Sequence, residues 1–322
     1  MTIDCKLSTQ LSEKEMLDFC RSFEKTFEGH HKPVEEFKNE YFNSCLGYSF
    51  HILLKNDKDV IVGGYCAIPF YYNVKGERMI FAAGADFMIE KEYRNDFKNV
   101  FNIIKFTESF LKDNQVAFLY GLPNDLSYQL NMSLMRMKYI SSLNTYILPI
   151  KIGDAKQSLR WLNPFSAFFS KLLLALSRFD CSTKIVNYPI EIDRTSLSKF
   201  RYKWFNPDNY YAYSDDNFSC YWVISEFEGI KACFLLDVYP FSNKYFNQSV
   251  RTMVDKMKNR VGLFLYVGFM NKTPISVIKV PAKIQPKKFR FVGKILDKRK
   301  LSEDFVLDIM NWNVNMANFD LL

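Results

Sequence analysis

The feature that most constrains the fold is the stretch from residue 77 to residue 124. "ERMIFAAGADFMI" is short and apolar, as a buried strand requires. It meets a charged bend, "EKEYRND", which opens directly into "FKNVFNIIKFTESFLK". In that last run Val100, Ile103, Ile104, Phe110 and Leu111 share one helical face. Asn114 ends the helix, and "VAFLYGLPN" returns as a strand stopped by Pro123. The bend sets the unpaired amides of a helix N-terminus beside the end of a strand, an arrangement that suits an anion.

The flanking segments extend the pattern. Ser12 and Glu15 have capping-box spacing and predict a helix over residues 12–27, with Leu17, Cys20, Phe23 and Phe27 at helical intervals. "SFHILLK" and "VIVGGYCAIPFYYNV" read as strands around the turn "NDKD", and Gly76 turns the chain into the next one. Residues 125–137 read as helical, and "NTYILPIKI" as a strand. The order then starts over. "YWVISEFEGIKACFLLDVYP" gives two strands around Gly229, "YFNQSVRTMVDKMKN" a helix and "VGLFLYVGFMN" a strand. Asp86 and Asp237 each lie near the end of the strand before the helix. This predicts an α+β chain with a weak internal duplication: a first domain over 1–150, a linker over 151–184 and a second domain over 185–322.

A length of 322 residues suits two domains. The net charge of +8 is spread along the chain, with basic residues near acids, so no nucleic-acid partner is expected. Only "QPKKFRFVGKILDKRK" (285–300) is locally basic, and it reads as an edge strand and turn. Seven Cys form no CxxC pair; Cys66 and Cys233 sit in apolar runs as core thiols. With no apolar signal region at the start, a reducing, cytoplasmic location is expected. His30 and His31 lack companion ligands, so no metal is expected. The aromatic cluster "YKWFNPDNYYAY" (202–213) suits either core packing or stacking on a sugar.

The longest apolar stretch is "NPFSAFFSKLLLALSRF" (163–179), interrupted by Lys171 and too short for a membrane span. Asn163 is a candidate N-cap, and Pro164 suits the first turn. Two readings stay open: a helix buried between domains or in a homodimer, and an interfacial helix making peripheral membrane contact.

The run "FMIEKEYRNDFKNVFNIIKF" followed by "VAFLYGLPNDLSYQLNMSLMRMKYI" resembles the GNAT acetyltransferase superfamily. "EEFKNEYFNSCLGYS" (35–49) is similar to the acceptor-side segment of tandem-GNAT proteins from bacterial surface-polysaccharide clusters, whose two-domain plan the FemAB-type aminoacyltransferases share. The resemblance implies two tandem GNAT-like domains, each a mixed, mostly antiparallel sheet flanked by helices. The second is degenerate, lacking any Arg-x-x-Gly-x-Gly. It also implies acetyl-CoA as co-substrate, held by the backbone of Phe87, Met88 and Ile89 and by the bend Arg94, Asn95, Phe97, Lys98 and Asn99. Arg94 matches the motif's arginine, while Phe97 and Asn99 stand at its two glycines. The Phe97 ring is then expected to turn into the helix's apolar face. Asn124 matches the family's later Asn, and Lys138 stands at the Gly of its Gly-Phe pair.

Acyl transfer to an amine needs a base, an oxyanion donor and a proton for the leaving thiolate. Asp86, a carboxyl in the apolar stretch "FAAGADFMI", is the candidate base, and Tyr128 the candidate acid. Glu90 and Glu92 read as solvated turn residues. The expected activity is N-acetyl transfer, directly and without a covalent enzyme intermediate, to a small-molecule amine such as an amino sugar or sugar nucleotide. Two alternatives stand beside it: a FemAB-like aminoacyltransferase using aminoacyl-tRNA, and a non-catalytic GNAT-fold binding protein.

Overall fold

The computed structural model describes residues 1–155, 157–180, 182–194, 210–227, 229–285 and 287–319. Most of the 202–213 aromatic cluster lies outside the described residues. The chain forms two compact units, each assembled from separate stretches. The first holds Met1–Ser141, a segment starting at Pro189 and Arg290–Asn311. The second holds Ser142–Tyr188, a segment ending at Phe289 and one starting at Trp312. The chain thus returns twice to the first unit, which a linear division at residues 150 and 184 does not follow.

In the first unit, strands β1 (Thr2–Leu7), β2 (Phe50–Lys55), β3 (Ile61–Val74), β4 (Glu77–Ile89) and β5 (Val116–Gly121) lie side by side in that order. All neighbours are antiparallel except β4 and β5, which a helical crossover makes parallel. The Phe289–Ile295 strand adds antiparallel to β5, and Ile190–Ile192 pairs the far end of β3.

Helices cover both faces, which is why β2 is buried along its whole length. Alternation along β2 sends Phe50, Ile52 and Leu54 to one face, where they meet Ile103, Ile104 and Leu111 of α3 (Phe97–Asp113). His51 points to the other face. There Phe19 of α1 (Glu13–Thr26) and Phe37 and Tyr41 of α2 (Val34–Phe42) surround its ring. Phe19 is fully buried, and truncating such a ring to alanine costs about 3–5 kcal/mol.

The Ser12–Glu15 capping box forms as its spacing predicts. The stripe that packs is Met16, Phe19 and Cys20, so Leu17, one position away, points to solvent. The helix expected over 125–137 is shorter, α4 (Asp125–Ser133), because the chain turns out of it at Arg136. Cys66 and Cys233 are fully buried.

The second unit repeats the order of the first. Ser219–Phe227 and Ile230–Tyr239 form a hairpin around Gly229. The Asn243–Met257 helix crosses to Leu263–Gly268, which lies parallel to Ile230–Tyr239 and antiparallel to Lys138–Pro149. Both units therefore build a mixed, mostly antiparallel sheet flanked by helices, an α+β architecture.

Candidate active site

β4 carries a bulge. Tyr65 pairs with Phe87 and Ala67 with Gly84, so Ala85 and Asp86 together oppose the single residue Cys66. The bulge turns Asp86 toward α1 and α2, where three side chains converge. Lys32 Nζ donates to Asp86 Oδ2 at 2.5 Å and to Glu40 Oε2 at 2.7 Å. Tyr41 Oη donates to the same Asp86 Oδ2 at 2.5 Å. Oδ1 of Asp86 accepts no hydrogen bond among the described residues.

The electrostatics follow from burial. Lys32 is buried, which opposes its charge, but Asp86 and Glu40 outweigh that and hold its pKa above the ordinary lysine value. Burial, then the Asp86 charge, pushes Tyr41 well above the usual phenol range, so it stays a donor. His51 lies beneath, between Ser49 Oγ at 2.9 Å and Cys66 Sγ at 3.2 Å. Burial, helped by Lys32, lowers its pKa to about 3, so it is neutral. One ammonium between two carboxylates leaves the cluster net negative, which favours an incoming protonated amine.

Next to the bulge the sheet opens. β4 and β5 pair only as far as Ala83 and Tyr120, and from Gly84 to Ile89 the β5-facing edge of β4 has no strand partner among the described residues. Beside it, a Cβ on Gly84 would sit 2.1 Å from the Tyr65 hydroxyl, so glycine leaves room for that buried ring.

No protein-family model matches the sequence, and no curated protein does. Solved structures do match. A protein of unknown function from Enterococcus faecalis V583, described as a probable N-acyltransferase, aligns at 14% identity with TM-score 0.58, covering 92% of this chain and 73% of that one. A GCN5-related N-acetyltransferase from Anabaena variabilis aligns at 13% identity with TM-score 0.57, covering 91% and 73%. Eis1 from Mycobacterium abscessus aligns at 10% identity with TM-score 0.55, covering 95% and 76%. The chain has a GNAT fold. β4 carries Phe87, Met88 and Ile89, which the resemblance read from the sequence assigns to coenzyme contact.

The GNAT bend is built differently from that resemblance. Arg94 Nε donates to Ile89 O at 2.6 Å and Nη2 to Thr26 O at 3.5 Å, so its guanidinium fastens the end of β4. Asn99 is buried and donates to Tyr93 O at 3.0 Å, pinning the bend from within. Asp96 caps α3 by accepting from Lys98 N at 3.0 Å. The helix's own carboxylate thus takes an amide that an anion would need. Asn95 and Lys98 are exposed. Phe97 is 61% exposed, contrary to the expected inward turn, because the buried face of α3 begins at Asn99.

Asn124 is the N-cap of α4, accepting from Ser127 N at 2.8 Å. Tyr128 is half-buried with Arg290 4.7 Å above its ring, and its hydroxyl makes no hydrogen bond among the described residues. Arg136, two positions before Lys138, takes a left-handed conformation (φ 53°). Among the described residues no three side chains group as metal ligands.

A concentration of basic side chains lies elsewhere in the first unit. A groove of about 1080 Å³ runs along the outer side of α3, with Phe97 and Phe101 exposed in it. Seven Lys and Arg side chains line it against two carboxylates, Glu108 and Asp297. Lys105, Arg136, Lys298 and Lys300 make no ion pair among the described residues. The locally basic run at 285–300, read as edge strand and turn, supplies four of the seven cations. Charges scattered in sequence are gathered by the fold onto one surface.

Sequence reasoning missed Lys32, Glu40 and Tyr41. Tyr41 had one signal, its place in the stretch likened to an acceptor-side segment. Glu40 shares that stretch, and Lys32 had no signal that singled it out, because its role depends on a contact with Asp86 across 54 residues.

Proposed function

We propose that the chain is an N-acyltransferase that moves an acetyl group from acetyl-coenzyme A to an amine, with Asp86 as general base. The observation that carries this reading is Asp86 itself. It sits in a bulge beside the splay, one oxygen held by Lys32 and Tyr41 and the other open. When bound, the coenzyme supplies an activated thioester. The open backbone edge of Phe87, Met88 and Ile89 fits its extended arm and offers an N–H to the acyl oxygen. The cations beside α3 fit its phosphates better than the Asp96-capped bend does.

The acceptor arrives as an ammonium, drawn by the net negative cluster. Asp86 Oδ1 takes one proton from the ammonium, freeing the nitrogen lone pair to form the C–N bond as the C–S bond breaks, and the second nitrogen proton passes to solvent. Lys32 and Tyr41 keep the carboxylate oriented and do not leave it during the step. Tyr128 Oη, free of other bonds, donates a proton to the departing sulfur. An amino sugar or sugar nucleotide fits as acceptor class through the likeness read in residues 35–49.

The groove also favours a second reading, in which the acyl donor is an aminoacyl-tRNA. Calorimetric titration separates the two. Micromolar binding of acetyl-coenzyme A, weakened in a Lys298→Glu/Lys300→Glu variant, supports the first. No heat with acetyl-coenzyme A or coenzyme A at millimolar concentration sinks it. Salt-sensitive binding of aminoacyl-tRNA in that case supports the second, and its absence leaves a binding protein.

A further inference from the structure

The helix Asn163–Leu176 in the second unit is inside out for a protein in water. Its inward face is small and polar. Ser170 is buried and donates to Pro149 O at 2.8 Å, and Ser166 donates to Ile150 O at 3.1 Å. Just past the helix, Ser177 is buried and accepts from Arg251 Nη1 at 2.8 Å. Only Leu173 and Leu174 add apolar contact with the core. The outward face is Phe165, Phe168, Phe169, Leu172 and Leu176, each between 43% and 71% exposed. Trp161 before it is 69% exposed, and Phe179 after it 82%. An amphipathic helix in water places these residues the other way round. A contiguous exposed patch of large aromatic side chains marks an interaction surface.

Two properties decide what covers it. The stretch from Ala155 to Phe179 holds four Lys or Arg and no Asp or Glu. Arg160 and Lys171 are exposed along the apolar face. A two-fold contact between copies would press this face against itself and bring like charges together. An anionic lipid surface meets the cations with opposite charge and accepts protruding aromatic rings at its interface. Among the described residues no helix is long and apolar enough to cross a membrane, so this one lies along the surface.

We propose that the Trp161–Phe179 segment is an interfacial anchor that seats the protein on an anionic membrane surface. Its rings enter the acyl boundary while Arg160 and Lys171 meet lipid phosphates. This differs from both a buried helix and a homodimer contact.

The test is co-sedimentation of the full chain with vesicles of phosphatidylcholine alone and vesicles in which about a third of the lipid is phosphatidylglycerol. Expected is binding to the anionic vesicles that weakens with salt, with a blue shift of tryptophan emission that is absent in Trp161→Phe. A Phe165→Ser/Phe168→Ser/Leu172→Ser variant should bind about tenfold or more weakly. Circular dichroism of that variant in solution should match the unaltered protein. No binding to anionic vesicles by the folded protein would overturn the proposal. So would a concentration-dependent dimer in ultracentrifugation that the triple variant abolishes.

Discussion

Tyr41 and Lys32 both donate to the same oxygen of Asp86, each at 2.5 Å. That shared acceptor fixes the carboxylate and leaves its second oxygen open. If Asp86 is the base, Asp86→Asn should lower kcat about 10²–10⁴-fold with acetyl-coenzyme A affinity little changed. Isotopic turnover assays and calorimetry on the same preparation check the split. Tyr41→Phe keeps the ring and removes one of the two donors. It should lower kcat less than Asp86→Asn does.

Removing the cation has a structural cost as well. Lys32 Nζ pairs with both Asp86 and Glu40. Lys32→Met leaves two part-buried carboxylates facing each other. Chemical denaturation should show a loss of about 3–5 kcal/mol. A Lys32→Met/Glu40→Gln double variant should recover part of it.

Stability should fall on mild acidification. An unfolded histidine binds a proton near pH 6.5, whereas His51 in the fold does so only near 3. Between those values the unfolded chain binds more protons, so stability drops as pH falls below 6.5. Glu15 adds a second window. Burial raises its pKa, but bonds from Lys6, Lys55 and Ser12 outweigh that and hold it at about 2. Its contribution is present above about 4.5 and is lost as pH falls toward 2. Melting temperatures between pH 7 and 5 should slope less in His51→Gln than in the unaltered protein, and Glu15→Gln should change that range little.

The bend and the groove make opposing forecasts. Arg94 is tied to Ile89 O and Thr26 O, so Arg94→Ala should speed hydrogen exchange across residues 90–96. It should weaken coenzyme binding less than Lys298→Glu/Lys300→Glu does. Arg136→Gly should relieve the left-handed backbone and stabilise the fold by up to about 1 kcal/mol, while removing a groove cation. Denaturation and calorimetry read the two effects separately.

Much of the frame is legible in local patterns. The Ser12–Glu15 spacing, the apolar face of α3 and the turns at Gly76 and Gly229 depend on neighbours a few residues away, and each forms as read. The site is less legible because its geometry is long-range. Lys32 and Tyr41 reach Asp86 across 54 and 45 residues. Arg94 and Phe97 were read from a motif, but their directions depend on how the bend closes. Asp96 capping α3 and Asn99 bonding Tyr93 O settle that closure. The apolar run at 163–179 shows the same limit. Its composition marks a helix, but only the fold shows that the serines face in and the phenylalanines face out.

The measurement that bears most directly on the central claim is thiol release from acetyl-coenzyme A over a panel of amines, with and without Asp86→Asn. The account predicts release that requires an amine, is highest with an amino sugar or sugar nucleotide, and falls by about two orders of magnitude or more in the variant. Amine-dependent release that is unchanged in Asp86→Asn would contradict the assignment of the base. No amine-dependent release from a protein that binds acetyl-coenzyme A would contradict the enzyme itself.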